Sequence, residues 1–240
     1  MIPASDFPLY LKTLFKINVK RLAIHIPLAS KHLTYTKFII LTTPRTGSTL
    51  LHTFLNYHLN VLSLGEPQNG DLPAKRWKAY PKLIKAVGFK AFYDSSSRLP
   101  VKEMLSQHSK NESVKIIWLR RRNKLRQWVS LKIAENTGEW SAVRTSLNGS
   151  PLKLSPSEFA EYVAKMGETD SQIQDHLTGK RYVTIFYEDL TENTELEMKK
   201  VWNFLAVAPI KPASLLKKQH PQPLNELITN YNDFIQMTDQ

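Results

Sequence analysis

The chain has 240 residues, with 33 Lys and Arg against 21 Asp and Glu for a formal charge of +12. Its 42% hydrophobic content is too high for a disordered chain, and at this length a single domain buries about 70% of the surface its unfolded chain exposes. The absence of cysteine excludes a disulfide framework, thiolate metal ligation and a cysteine nucleophile, while the charge favours an anionic partner: nucleic acid, an acidic membrane face or a nucleotide phosphate.

At the N-terminus, Leu11, Leu14, Phe15, Val19 and Leu22 oppose Lys12, Lys16 and Lys20 on a basic amphipathic helix. Such a helix either docks on the domain or lies on an acidic membrane, so peripheral membrane contact enters as an expectation. Asp6, Lys12 and Lys16 stand where a secretory signal would be apolar, and runs such as 38–41 and 116–119 are far below the roughly 20 residues of a membrane span. A cytoplasmic setting is expected. Residues 1–36 are thus read as a basic amphipathic segment ahead of one domain, 37–240.

That domain opens with a buried strand, Phe38 to Thr42, then the loop Thr43-Pro44-Arg45-Thr46-Gly47-Ser48, then a helix carrying Leu50, Leu51, Phe54, Leu55 and Leu59. Short strands are predicted from Gly88 to Tyr93 and from Val114 to Leu119, the latter running into a basic cluster and a helix from Lys124 to Asn136. Ser155-Pro156-Ser157-Glu158 has the form of a capping box with Pro at the first helical position, and it opens a helix ending near Leu177. Tyr182 to Phe186 is a β-branched and aromatic strand, a helix from about Glu195 to Ala206 follows, and an apolar stripe from Leu224 to Ile235 suggests a C-terminal helix. This alternation predicts an α/β, P-loop-like three-layer domain with a central parallel sheet flanked by helices. Ligands of such sheets bind beyond the strand carboxyl ends, where the 43–48 loop and the Arg120 to Arg126 cluster both fall.

A Gly-containing turn between strand and helix aims backbone amides and the positive end of the helix dipole at one point, which suits phosphate or sulfate. Thr46, Ser48 and Thr49 add hydroxyls, and Arg45 adds a guanidinium. There is no first Gly and no Lys after Gly47, so the ATP-hydrolysing form of this loop is disfavoured.

Pro44-Arg45-Thr46-Gly47-Ser48-Thr49 resembles the 5′-phosphosulfate loop of the sulfotransferases, P-[KR]-[ST]-G-[ST]-[ST]. Arg122 and Ser130 match their second signature, an Arg after a later strand with a Ser eight residues on, which holds the 3′-phosphate. On a helix, Arg122, Arg126 and Ser130 share one slowly turning face. Gly65-Glu66-Pro67-Gln68 and the run Arg121 to Leu131 look more narrowly like the bacterial trehalose 2-sulfotransferase type. Weaker similarities are Gly88-Phe89-Lys90 before Tyr93-Asp94, Thr137-Gly138-Glu139-Trp140 and Tyr187-Glu188-Asp189-Leu190. Asn123 stands where that pattern usually has Asp, and the stretch between Pro67 and Gly88 is short.

The resemblance implies 3′-phosphoadenosine 5′-phosphosulfate as donor cosubstrate and a hydroxyl acceptor on a sugar or glycolipid, with neither metal nor nucleic acid. It makes Glu66 the general base and Arg45 the cation offsetting charge on the leaving oxygen, with Pro44 to Thr49, Arg122 and Ser130 on the nucleotide. His52, His58 and Lys90 are the alternative participants. Trp128 and Trp140 are candidates for stacking or for core packing. The competing readings are a P-loop kinase, which requires magnesium, and a basic nucleic-acid-binding protein.

Overall fold

Apolar, β-branched runs form the strands, and helices whose apolar faces match them cover both sides. The computed structural model describes residues 6–25, 31–67, 77–93, 114–140, 151–216 and 220–237. In chain order the elements are α1 (Phe7–His25), β1 (Lys31–His32), β2 (Thr36–Thr42), α2 (Ser48–Tyr57), β3 (Val61–Ser63), β4 (Tyr80–Pro81), β5 (Ala86–Phe92) and β6 (Val114–Arg120). There follow α3 (Lys124–Thr137), α4 (Pro156–Leu177), β7 (Tyr182–Phe186), α5 (Tyr187–Glu192), α6 (Thr194–Leu205), α7 (Leu224–Leu227) and a 3₁₀ segment, Tyr231–Met237.

Five parallel strands form the central sheet in the order β3-β5-β2-β6-β7, with β2 in the middle. Alternation along β2 divides the core: Phe38 and Ile40 pack with α2 and α6 through Leu51, Leu55, Val201 and Trp202, while Ile39 and Leu41 meet Phe89, Ile173 and Leu177 on the opposite face. This is the predicted three-layer arrangement. Its registry relies on Gly88, where a Cβ would stand 2.3 Å from the Phe38 ring on the neighbouring strand. Ser155 caps α4 by accepting from the Glu158 amide at 3.4 Å, and Asn123 caps α3 by accepting from the Arg126 amide at 2.7 Å.

Two elements depart from expectation. The C-terminal stripe is not one helix: Ile228 forms a parallel bridge with Leu152, and the Asn230 side chain bonds Leu154 through both its amide groups. The bridge takes the Leu227 carbonyl and the Thr229 amide, backbone groups that a continuing helix would need, yet Ile228 and Phe234 still reach a core shared with Trp128 and Phe159. The N-terminal helix does dock, but by its lysine face. Lys20 is buried and donates to the carbonyls of Asn56 and Val61, and Lys16 sits 3.5 Å over the Tyr57 ring, while Leu11, Phe15 and Leu22 point outward. The C-terminal carbonyls of α2 carry partial negative charge, which favours an ammonium there over a leucine. The segment ahead of β2 is further tied down by antiparallel pairing of β1 with β4.

Candidate active site

The carboxyl ends of the parallel strands bring separate stretches of sequence to one edge. After β2 the chain turns through Arg45 at φ 61° and Gly47 at φ 83°, and α2 begins at Ser48. The first backbone bond of that helix runs from the Leu51 amide to the Gly47 carbonyl, so the amides before it face the loop without an intrahelical acceptor. Gly47 is required twice over, by its left-handed backbone and because a Cβ would lie 2.3 Å from Cδ2 of Tyr187. Thr46 is turned inward: its hydroxyl donates to the Thr43 carbonyl at 2.9 Å and meets the Thr42 hydroxyl, so it braces the loop. From α3, Gln127 donates to the Pro44 carbonyl at 2.8 Å and to the Thr43 hydroxyl at 3.2 Å.

Around this loop lies a cavity of about 950 Å³, lined by Pro44, Arg45, Gly47, Ser48, Thr49, Glu66, Lys90, Arg121, Arg126, Ser130 and Trp140 among others. It lies at the upper end of the range for small-molecule sites, about 300–1,000 Å³. The two predicted signatures meet directly, since Arg45 Nε donates to Ser130 Oγ at 2.9 Å while its Nη1 donates to the Trp140 carbonyl at 2.7 Å. Burial lowers the pKa of the guanidiniums of Arg45, Arg121 and Arg126, and for Arg45 the charge of Arg121 adds to the effect. Arg121 is buried, gives one hydrogen bond to the Arg45 carbonyl at 2.8 Å, and lies under the Tyr187 ring at 4.6 Å. Its Nε makes no hydrogen bond; a Glu188 oxygen stands 4.0 Å away, an ion-pair distance only. Crowded, partly desolvated guanidiniums are a site an anion would relieve.

Arg122 lies differently. It is half-exposed, does not line the cavity, and forms a two-pronged pair with Asp189 at 2.5 and 2.7 Å. Glu188, one residue before, accepts from the amides of Arg122 and Asn123, both at 3.1 Å. The stretch 187–190 after β7, among the weaker similarities in the sequence, thus clamps the turn after β6. Sequence reasoning passed over Arg121 and the clamp; an Arg pair after one strand and an acidic pair after its neighbour is the signal that pointed to them.

Glu66 follows β3 and its carboxylate meets Lys90 Nζ, from β5, at 2.7 Å. Lys90 is buried and Glu66 about half-exposed, so the lysine anchors a carboxylate that stays open to the cavity. His52 also lines the cavity, with both nitrogens engaged. Asn56 Nδ2 donates to Nε2 at 3.2 Å, which makes Nε2 an acceptor and directs Nδ1–H to Ser63 Oγ at 2.7 Å. Burial, then the charges of Lys90 and Lys20, pulls its pKa down to about 4. His58 contacts Trp202 and bonds the Ala208 carbonyl at 2.9 Å, in the α2–α6 layer. Trp128 is buried against Phe159, Tyr162 and Phe234, whereas Trp140 is exposed at the cavity mouth. Gln68 and Asp94 lie outside the described residues, as do residues 68–76 of the short stretch after Pro67. Among the described residues no cluster of three His, Asp or Glu is placed to hold a metal ion.

A parallel sheet presenting an Arg-Thr-Gly-Ser loop, with arginines on the turn after a neighbouring strand and a serine on the helix that follows, defines a class that the family comparison names. Residues 35–220 match the sulfotransferase domain, and the chain belongs to that family. Among its relatives, nodulation protein H of Rhizobium tropici is 25% identical over 224 residues, covering 83% of this chain and 87% of its own. Nodulation protein H of Rhizobium meliloti (strain 1021) is 24% identical over 220 residues, covering 82% and 88%. These two relatives are nodulation H proteins, not trehalose 2-sulfotransferases. Similar solved structures are mouse sulfotransferase SULT7A1 complexed with PAP (17% identity, TM-score 0.48, 73% of this chain) and a sulfotransferase from Alicyclobacillus acidocaldarius (15%, TM-score 0.46, 77% of this chain and 86% of its own). This chain spans 60% of the length of the mouse chain.

Proposed function

We propose that this protein transfers a sulfuryl group from 3′-phosphoadenosine 5′-phosphosulfate to a hydroxyl of a carbohydrate or glycolipid acceptor, with Glu66 as general base. The observation that carries the proposal is the single cavity in which the loop after β2, Arg45 with Ser130, and the Glu66–Lys90 pair meet. The donor supplies an activated sulfuryl group on a leaving phosphate; the chain supplies position and charge. Ser48, Thr49 and the first-turn amides of α2 hold the 5′-phosphate end. Arg45 offsets negative charge growing on the bridging oxygen, and Ser130 takes the 3′-phosphate.

Arg122 completes that 3′ contact by exchanging Asp189 for phosphate. Its present pair is exposed and therefore weakly held, whereas a phosphate accepting from the same fork also receives the Ser130 hydroxyl. Arg121 lies on the cavity side of the same turn and shares the anion's charge. Glu66, oriented by Lys90, accepts the proton of the attacking hydroxyl. Lys90 further supplies a point charge beside the transferred group, and Trp140 offers an apolar wall to an acceptor. The inward-facing Arg121 and Arg126 leave the basic run poorly suited to a nucleic-acid backbone.

Calorimetry with 3′-phosphoadenosine 5′-phosphate, followed by a screen of sugars and glycolipids with radiolabelled donor, tests the reading. On the acceptor so found, Glu66→Gln should keep near-native bisphosphate affinity and lose roughly 10²-fold or more in turnover, as for a removed general base. Wild-type turnover in Glu66→Gln would place the base elsewhere, with Lys90 the next candidate. No binding of the bisphosphate would remove the proposal.

A further inference from the structure

Helix α1 is 19 residues long, about 28 Å at 1.5 Å per residue, and it is oriented against the usual rule. Its inward face carries Lys16 and Lys20, while Phe7, Leu11, Phe15 and Leu22 are exposed by 52%, 50%, 67% and 65% and Leu14 by 37%. At 100° per residue these five fall within an arc of about 100°, the width of an apolar stripe that normally faces a core. Asn18 and His25 are the polar residues inside the arc. Arg21 borders one edge and Lys12 the other, both exposed, and no Asp or Glu occurs anywhere in the helix.

We propose that this outward stripe seats the protein on an anionic phospholipid bilayer, with α1 lying in the plane of the interface. The apolar side chains enter the acyl boundary while Lys12 and Arg21 remain level with the headgroups. Charge complementarity selects this occupant: an all-cationic helix on a chain of +12 meets an anionic surface. A second copy of the chain fits poorly. The stripe offers about 280 Å², from a length of about 28 Å and a helix width of about 10 Å, against roughly 800 Å² per partner in a stable interface. It would also set Lys12 and Arg21 of both copies together. Among the described residues no helix is long and apolar enough to cross a membrane. Lys20 fixes α1 at the C-terminal end of α2, ten residues or about 15 Å along that helix from the loop that precedes it. The inference is independent of the reaction proposed above.

Co-sedimentation with vesicles of phosphatidylcholine mixed with phosphatidylglycerol, compared with phosphatidylcholine alone, tests it. The protein should bind the mixed vesicles and release them as salt is raised. The double variants Phe15→Ser with Leu22→Ser, and Lys12→Glu with Arg21→Glu, should each weaken binding roughly tenfold or more while thermal denaturation by circular dichroism stays unchanged, because all four side chains are exposed. Failure to sediment with anionic vesicles would overturn the proposal, as would binding that neither double variant reduces. So would a dimer in solution that Phe15→Ser with Leu22→Ser abolishes, since the stripe would then be a self-contact.

Discussion

Gly47→Ala probes how tightly the loop between β2 and α2 is built. The new methyl group would stand 2.3 Å from Cδ2 and 2.7 Å from Cε2 of Tyr187, so ring or loop must yield about 1.2 Å to restore the ~3.5 Å separation of carbon atoms in contact. Overpacking of this size costs about 1–3 kcal/mol. Holding alanine at φ 83° adds about 1–2 kcal/mol. The sum, roughly 2–5 kcal/mol, is a large share of the 5–15 kcal/mol by which domains are stable. It should lower the melting temperature by about 4–20 °C, at roughly 2–4 °C per kcal/mol for a chain of this size. Bisphosphate affinity measured by calorimetry should fall with it, because the amides of the loop move. The steric part can be isolated. Combining Gly47→Ala with Tyr187→Ala removes the clash but not the backbone strain, so the double variant should be less damaged than the two single losses added together, by about 1–3 kcal/mol. Strict additivity in this cycle, or a Gly47→Ala protein with native stability and affinity, would refute the argument that Tyr187 packs on the loop.

Ser130→Ala should weaken the 3′,5′-bisphosphate roughly tenfold while leaving adenosine 5′-phosphosulfate, which has no 3′-phosphate, nearly unchanged; equal losses for both ligands would remove the assignment. Arg122→Ala should discriminate in the same direction. Asp189→Asn, which releases Arg122 from its pair, should tighten bisphosphate binding, and unchanged affinity would mean that Arg122 does not turn inward. Arg45→Ala should depress kcat roughly 10²- to 10³-fold, with a smaller change in donor affinity, as for a lost donor to charge in the transition state; an effect confined to KM would contradict its role. His52 has a folded pKa of about 4 against an ordinary 6.5, so its neutral form is favoured by folding. That contribution, about 3 kcal/mol, is complete above pH 6.5 and is lost as pH falls towards 4. Urea midpoints of His52→Gln across this window should therefore slope less than those of the parent, and parallel slopes would show that His52 is not the group titrating.

Much of the scaffold was legible because its causes are local. The run 182–186 became a strand with those bounds, and α4 began after Ser155 and ended at Leu177 as its cap and apolar spacing required. The turn from β2 into α2 could be placed for the same reason, since a Gly between an apolar strand and an apolar helix supplies the left-handed φ that Gly47 adopts there. Strand β3, with three residues, and β1 and β4, with two each, carry too little pattern to be seen; they exist because neighbouring strands offer them partners. Tertiary structure alone decided which face of α1 turned inward, because the periodicity marks two faces but not what each will meet. Here the inner face met the Asn56 carbonyl in the last turn of α2 and the Val61 carbonyl opening β3, and those reward an ammonium. It likewise decided that Arg122 would be gripped by Asp189 and Arg121 buried beside Arg45, although the two arginines are adjacent in the chain. Neighbours leaving a strand point in opposite directions, and the partner each one meets lies more than 60 positions away, brought alongside only when β2 and β7 pair with β6.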